Sequence, residues 1–233
     1  MPHRAPTVVP VTTFPALLDR RLAADPGQPL VTFYDDATGE RTELSVKTFA
    51  NWVSKTANLY AEELMLDPGD TVRIDLPPHW LGPVFLAAAW SCGLDVADPA
   101  DGAADDAAEV AVVGPQGLDR PGRTTLACSL TPFATPFREP LPAGLLDHGV
   151  LWSGQSDVFS PLDATDLVVP AADDRRVLTD VDPISREGQA LFLGLLAGAG
   201  SLVLVAHPDE RQWPAHSESE RATASVRTAQ PTS

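Results

Sequence analysis

Residues 66–99, LDPGDTVRIDLPPHWLGPVFLAAAWSCGLDVADP, read as turn, strand, loop, helix, glycine stop and second strand. Asp67-Pro68-Gly69-Asp70 has the composition of a turn. Val72, Ile74 and Leu76 alternate with Arg73 and Asp75, which predicts a strand with one less buried face, and Pro77-Pro78 ends it. The helix from Trp80 to Cys92 is apolar almost all round, as a helix lodged between layers must be. Gly93 is placed as its left-handed stop, and Leu94 to Ala97 enters another strand. Many phosphate-handling α/β enzymes are assembled from such units, so the question is where a phosphate loop lies.

Upstream, a helix is expected from Phe14 to Ala24, with Phe14, Leu17, Leu18 and Leu22 on one face, Thr13 as cap and Asp25-Pro26-Gly27 as stop. Leu30 to Tyr34 and Glu40 to Leu44 form a hairpin around Asp35-Asp36-Ala37-Thr38-Gly39. Ser45 caps a second helix that turns Val46, Phe49, Val53, Tyr60 and Leu64 to the core.

Downstream, residues 98–109 are an acidic loop, and Val110 to Val113 a short buried strand followed by the Gly-rich GPQGLDRPGR. From Thr124 to Asp166 the chain is rich in Pro, Gly and Ser, with strand-like fragments at 124–130 and 149–152. VRIDLPP at Val72 is echoed by VLTDVDP at Val177, and FLAAAWSCG at Phe85 by FLGLLAGAG at Phe192; each copy then enters an apolar strand, Leu94–Ala97 or Leu202–Ala206. Either any strand–helix–strand unit looks this way, or the chain holds two pseudo-equivalent α/β halves. The architecture is the same in both cases: layered sheets flanked by helices. The expected organisation is a Pro-rich flexible lead-in over 1–12, one α/β domain over 13–210 with approximate halves 13–108 and 109–210, and a tail over 211–233. That tail lacks apolar periodicity and is expected to be disordered.

The chain has 233 residues, 44% of them hydrophobic, which is enough for a proper core. Its formal charge of −16 argues against nucleic acid and anionic membrane as partners. Cys92 and Cys128, the only cysteines, stand in apolar runs and suggest no disulfide framework. The N-terminus carries no secretory signature, and no apolar run nears the roughly 18 residues of a membrane span. A cytoplasmic protein without membrane insertion is the expectation.

Residues 13–99 resemble the N-terminal part of the adenylate-forming superfamily, that is, acyl-CoA synthetases, peptide-synthetase adenylation domains and luciferases. The opening helix FPALLDRRLAADP, the hairpin LVTFYDDATGERTEL and the 66–99 unit carry the likeness. VLTDVDPISREGQALFLGLLAGAGSLVLV, from Val177, resembles a later stretch of the same enzymes. The resemblance implies part of their large N-terminal domain. None of the matching stretches is catalytic in that family.

In those enzymes a Ser/Thr/Gly-rich loop ending in Lys follows a strand that often begins with Asp, and it cradles the ATP phosphates. Here Asp166-Leu167-Val168-Val169 resembles the strand but runs into PAADDRRVLTD. A triphosphate needs exposed backbone N–H groups and positive charge. Asp173-Asp174 would repel it; Arg175-Arg176 offset the charge without rebuilding the cradle. The family's aromatic-Gly-x-Thr-Glu motif, ribose-binding Asp segment and C-terminal domain with its catalytic Lys find no counterpart in the sequence. No catalytic residue is therefore carried over.

Candidate ligand contacts are Gly114 and Gly117, after a strand, together with Arg175 and Arg176; an ordinary loop is the competing reading of the glycines. Asp98, Asp101, Asp105 and Asp106 could gather a hard cation, against a plain solvated acidic loop. Ser156, in SGQSD, would need a strand before it and a helix after it to serve as a nucleophile. His79, His148 and His207 are scattered, and His3 and His216 fall in the expected flexible ends. The functional expectation is a degenerate, non-catalytic acyl-CoA-synthetase-like module for binding or assembly, with no required cofactor. A binder of a nucleotide, CoA or acyl ligand, or adenylate-forming activity completed by a partner chain, is the alternative. A protein partner or a second copy of the chain would serve assembly. A binder needs a pocket of about 300 Å³ or more with convergent polar groups.

Overall fold

The computed structural model describes residues 11–97, 108–119, 122–161 and 164–228. Each element begins or ends where local chemistry requires it. Thr13 Oγ1 accepts the Ala16 N–H at 3.4 Å and opens helix α1 (Phe14–Ala24). Strands β2 (Pro29–Asp35) and β3 (Glu40–Ser45) form the hairpin, antiparallel, with Asp35 closing the turn by accepting from Ala37 N at 2.9 Å. Ser45 then accepts from Thr48 N at 3.1 Å and caps α2 (Val46–Asn58), which continues as one π-helical turn over Leu59–Glu63.

The 66–99 unit is strand β4 (Thr71–Asp75), helix α3 (Leu81–Ser91) and strand β5 (Asp95–Val96). Every residue of α3 is buried, and Gly93 adopts φ +73, the left-handed stop its position called for. Its echo is β10 (Arg176–Thr179), α5 (Arg186–Gly198) and β11 (Ser201–Ala206). In both units the two strands run parallel, so both are right for a strand–helix–strand crossover.

The two units seed two different sheets. The first sheet has the order β12-β10-β11-β2-β3, parallel except for β3, where β12 is Ala224–Val226. The second has the order β5-β4-β6-β7-β8 and is parallel throughout, with β6 at Val110–Val113, β7 at Thr124–Ala127 and β8 at Leu145–Asp147. A small third ribbon pairs β1 (Val11–Thr13) with β9 (Asp166–Val168). The sheets thus do not divide the chain near residue 108: the first takes strands from residues 29–45 and from 176–226.

One apolar core joins them. Phe33 and Leu204 from the first sheet and Val72 and Val112 from the second share it with Phe14, Phe49, Phe85 and Phe192 from the helices. The Phe14 ring lies 5.7 Å from Trp90 in α3 and 6.5 Å from Phe192 in α5, so α1 bridges the two echoed helices. Fully burying side chains of this size contributes about 1.5–3 kcal/mol each.

Three expectations change. Residues 148–153, in part expected to be strand, form helix α4 (His148–Ser153), because Asp147 accepts from Gly149 N at 2.9 Å and caps it. Over 211–228 the expected disordered tail is instead ordered, and the rest of it lies outside the described residues: the segment forms α6 (Trp213–Ser219) and β12, and Trp213 and Ala222 pack against Leu178, Val203 and Val205. Polar anchoring achieves this. His216 Nε2 lies 2.7 Å from Asp36 Oδ1, and Glu220 is gripped by Arg176, Arg41 and Tyr34. Val11 and Thr12 belong to β1, and the rest of the 1–12 lead-in lies outside the described residues. Among the described residues no helix is long and apolar enough to cross a membrane.

Candidate functional site

Parallel strands all point their carboxyl ends the same way, and ligands of open α/β sheets collect there. Here both sheets open onto one crevice at that end. It is a cavity of about 410 Å³. The first sheet supplies Phe33 and Asp35 from β2, Ala206 from the end of β11, and His207 just after it. The second supplies Asp75 from β4, the turn Leu76-Pro77-Pro78-His79, the loop Gly114-Pro115-Gln116-Gly117 after β6, and Leu130 beyond β7. Glu40, from β3, completes the wall.

Gly114 and Gly117 are therefore brought to a cavity, as the sequence suggested. A side chain at Gly114 would press Leu130 Cδ1 at 3.1 Å, and one at Gly117 would press Val113 Cβ at the same distance. The bare backbone lets the loop lie close against β6.

Arg175 and Arg176 are not brought there. They stand at the amino end of β10, where Arg176 is level with Ser201, the first residue of β11, while the cavity touches Ala206, the last. Arg175 is occupied by Asp173, at 2.6 Å. Arg176 binds Glu220 and Thr32 and lines a second cavity, of about 440 Å³, that also meets Arg41, Glu43 and Asp174. Strand direction alone would have revealed this: arginines before a strand and glycines after one belong to opposite ends of a parallel sheet.

Asp98, Asp101, Asp105 and Asp106 lie outside the described residues. Among the described residues no His, Cys, Asp and Glu side chains gather as a metal-binding group. Ser156 follows a helix, α4, not a strand, and its Oγ accepts the Val158 N–H at 3.1 Å within a loop. The geometry of a nucleophile elbow is missing. Burial pushes the Cys92 thiol up to about 12 and raises that of Cys128 as well, so neither is a ready thiolate.

The cavity's electrostatics are acidic. Asp35, Glu40 and Asp75 line it, and no lysine or arginine does among the described residues. Burial tends to raise the Asp35 pKa, but hydrogen bonds from His207, Ala37 and Thr38 prevail and hold it below the usual carboxylate value. His207 Nδ1 lies 2.9 Å from Asp35 Oδ1, which bridges the hairpin to the end of β11.

Two histidines that stand scattered in the sequence, His79 and His207, come together in the cavity wall. His79 is 4% exposed, with Nδ1 accepting the Leu81 N–H at 3.2 Å and the ring 4.8 Å from Phe33. Burial lowers its pKa to about 4, against an opposing pull from the Asp35 charge. His207 adopts φ +47 and Leu130 φ +53, left-handed values that strain residues other than glycine. Such strain gathers where a site is over-determined by its surroundings. The available signal was positional: Asp35, His79 and His207 all stand at or just after the carboxyl end of a parallel strand.

A "TIGR03089 family protein" of Mycobacterium tuberculosis (strain ATCC 25618 / H37Rv) is 34% identical over 242 residues, covering 92% of this chain and 98% of its own. The chain belongs to the TIGR03089 family. No protein-family model matches the sequence. Among solved structures, an acyl-CoA synthetase from Brucella canis superposes with a TM-score of 0.73 at 14% identity, over 96% of this chain and 48% of its own. The inhibitor-bound N-terminal domain of FACL13 from Mycobacterium tuberculosis gives a TM-score of 0.66 at 10% identity, over 91% and 62%. This TIGR03089 family member therefore has the α/β fold of the N-terminal part of acyl-CoA synthetases, and spans about half to two-thirds of the length of those two structures.

Proposed function

We propose that this protein is a non-catalytic binding module on an acyl-CoA-synthetase scaffold. It holds a small, largely apolar ligand in the crevice between its two sheets. The observation that carries the reading is the cavity of about 410 Å³ at the converging carboxyl ends of β2, β11, β4 and β6. Phe33, Leu76, Pro77, Leu130 and Ala206 give it an apolar body, and Gln116, His207 and the carboxylates give it a few polar groups. That composition and size are those of a small-molecule site.

Charge argues against a nucleotide or CoA phosphate as the occupant. A polyphosphate needs cations or a cradle of N–H groups, and the described wall carries carboxylates instead. The two arginines nearest the phosphate-loop position of the sequence are held by Asp173 and Glu220 at the other end of the sheet. Catalysis by the adenylate-forming route has no visible footing in these side chains.

The test is a thermal-shift and amide-chemical-shift titration with ATP, CoA and eight-carbon amphiphiles, on the native chain and on Ala206→Trp. Ala206 is 4% exposed in the wall, so the indole fills the cavity. Stabilisation by an amphiphile, growing as RT ln(1 + [L]/Kd) and lost in A206W, is expected. Saturable binding of Mg-ATP with turnover of an acyl substrate would defeat the reading.

A further inference from the structure

The hairpin turn fixes one accessible imidazole in the wall of the crevice. His207 Nδ1 lies 2.9 Å from Asp35 Oδ1. Burial would raise the Asp35 pKa, but hydrogen bonds from His207, Ala37 and Thr38 hold it below the usual carboxylate value. An ionised carboxylate only accepts, so the proton between the two residues sits on Nδ1, and in the neutral ring Nε2 keeps a lone pair. The backbone is clamped on both sides of the histidine. Asp36 N–H donates to the Ala206 carbonyl at 3.1 Å, and Asp36 Oδ2 accepts the Asp209 N–H at 2.8 Å. That clamp keeps His207 at φ +47, a left-handed value that costs any residue with a side chain. The ring is 64% exposed, forms part of the cavity wall, and makes no hydrogen bond at Nε2 among the described residues.

We infer that His207 recognises the head group of the crevice ligand by accepting a hydrogen bond at Nε2, and that this head group is a hydroxyl. The inference rests on the reading of the crevice as a ligand site. The carboxylates of the wall are already engaged: Asp35 accepts from His207, Ala37 and Thr38, Glu40 accepts from Thr42 Oγ1 at 2.9 Å, and Asp75 has a partner of its own. His207 is therefore the accessible titratable side chain of the wall that still has a site to fill. With Nδ1–H committed to Asp35, the neutral ring offers a lone pair, which a hydroxyl can fill and an ether or a carboxylate cannot. A hydroxyl that gives its proton to Nε2 keeps its own lone pairs for water at an exposed ring, so it loses little on desolvation. Phe33, Leu76 and Ala206, all buried, would hold the apolar remainder.

The experiment is a titration of octan-1-ol against its isomer 1-methoxyheptane, which has no donor, at about pH 8.5, where an imidazole is ordinarily neutral. The amide resonances of Gly114 and Gly117 report occupancy, and the ring nitrogens of His207 report the contact. In the free protein Nδ1 should be the protonated nitrogen. Octan-1-ol is expected to bind about fivefold more tightly than the ether, the worth of one hydrogen bond, and to move the bare Nε2 resonance upfield as it accepts. If apolar contact were all that counted, the ether, with less hydration to shed, would bind at least as well. His207→Gly removes the imidazole at a φ that glycine adopts freely. In that variant octan-1-ol should fall to the affinity of the ether, which should itself be little changed. Should H207G not fold, the Nε2 resonance of the native protein decides alone. An ether that binds as tightly as octan-1-ol, an Nε2 unmoved by bound octan-1-ol, or an H207G variant that keeps the preference would overturn the inference and leave the crevice standing as a site. If neither compound moves Gly114 or Gly117, the crevice reading falls and the inference with it.

Discussion

Arg21 in α1 donates from Nη1 to the carbonyl of Gly200 at 3.0 Å, just past the end of α5. The same nitrogen reaches the carbonyls of Leu195 at 3.0 Å and Leu196 at 3.4 Å. The last carbonyls of a helix have no partner of their own, and they carry the negative end of its dipole. A buried guanidinium from another helix supplies both the hydrogen bonds and the charge. Nη2 is taken up by Gln28 Oε1 at 3.1 Å, so the side chain has little freedom left.

Arg21→Met should keep the packing of the stem and strip these bonds. Hydrogen bonds involving a charged group are worth about 1.5–3 kcal/mol, and the carbonyls of Leu196 and Gly200 would lose this donor, while that of Leu195 keeps the backbone N–H groups of Ala199 and Gly200. A loss of about 2–4 kcal/mol in urea unfolding is expected, and Arg21→Lys should recover only part because it lacks the planar fork. A loss below about 0.5 kcal/mol would show that the α5 carbonyls find water instead.

How much of this was legible in the sequence depended on whether the stabilising contacts were local. Helix α1, the hairpin, α2 and the β4–α3 unit announce themselves because caps and apolar periods are written within a few residues: Thr13, Ser45, Gly93. The left-handed stop of α5 was less plain, since it falls on Ala199 (φ +66) between two glycines that were the natural candidates. Helix α6 left no local signal. Its hold comes from His216 on Asp36 and Glu220 on Arg41, about 180 positions away, and such polar partnerships leave no period in WPAHSES. The glycines of the site were readable from their place after β6. The histidines were not, because His79 is set in the wall by burial against Phe33 and His207 by its contact with Asp35, and only packing shows that.

Glu220 gives the C-terminal segment its grip and should give it an acid-sensitive one. Burial alone would raise the Glu220 pKa, but hydrogen bonds from Tyr34, Arg176 and Arg41 outweigh it and hold the carboxyl below its ordinary 4.5. A depressed carboxyl stabilises fully above its unfolded pKa, and that contribution fades as pH falls through the folded value. Glu220→Ala at neutral pH takes the carboxylate from Arg176, 17% exposed at its side chain, leaving it Thr32, Ser201 and the backbone of residue 220, and should cost about 2–4 kcal/mol. Amide exchange over 213–226 should speed up in this variant while α3 stays protected. Unchanged exchange would place the hold on α6 elsewhere, with Trp213 and its cation–π contact to Arg227 at 3.8 Å as the next candidate.

A second acid effect should set in at higher pH, from histidines instead of carboxylates. His148 is 1% exposed between Phe85 and Trp152, with neither ring nitrogen bonded among the described residues. Burial lowers its pKa to about 3, and lowers that of His79 to about 4. Both groups refuse a proton in the folded state that they accept, near 6.5, in the unfolded one. The sign follows: the unfolded chain binds more protons, so stability is full above pH 6.5 and falls as pH drops toward 4. Two such groups give a slope approaching 2.7 kcal/mol per pH unit, at about 1.36 for each. Urea unfolding at pH 7, 5.5 and 4.5 should show the decline, and His148→Phe should reduce its slope by about half between pH 5.5 and 4.5. A profile that stays flat down to pH 4.5 would mean that both His148 and His79 take up protons in the native state; a slope of half the expected size, unchanged in His148→Phe, would mean that His148 alone does.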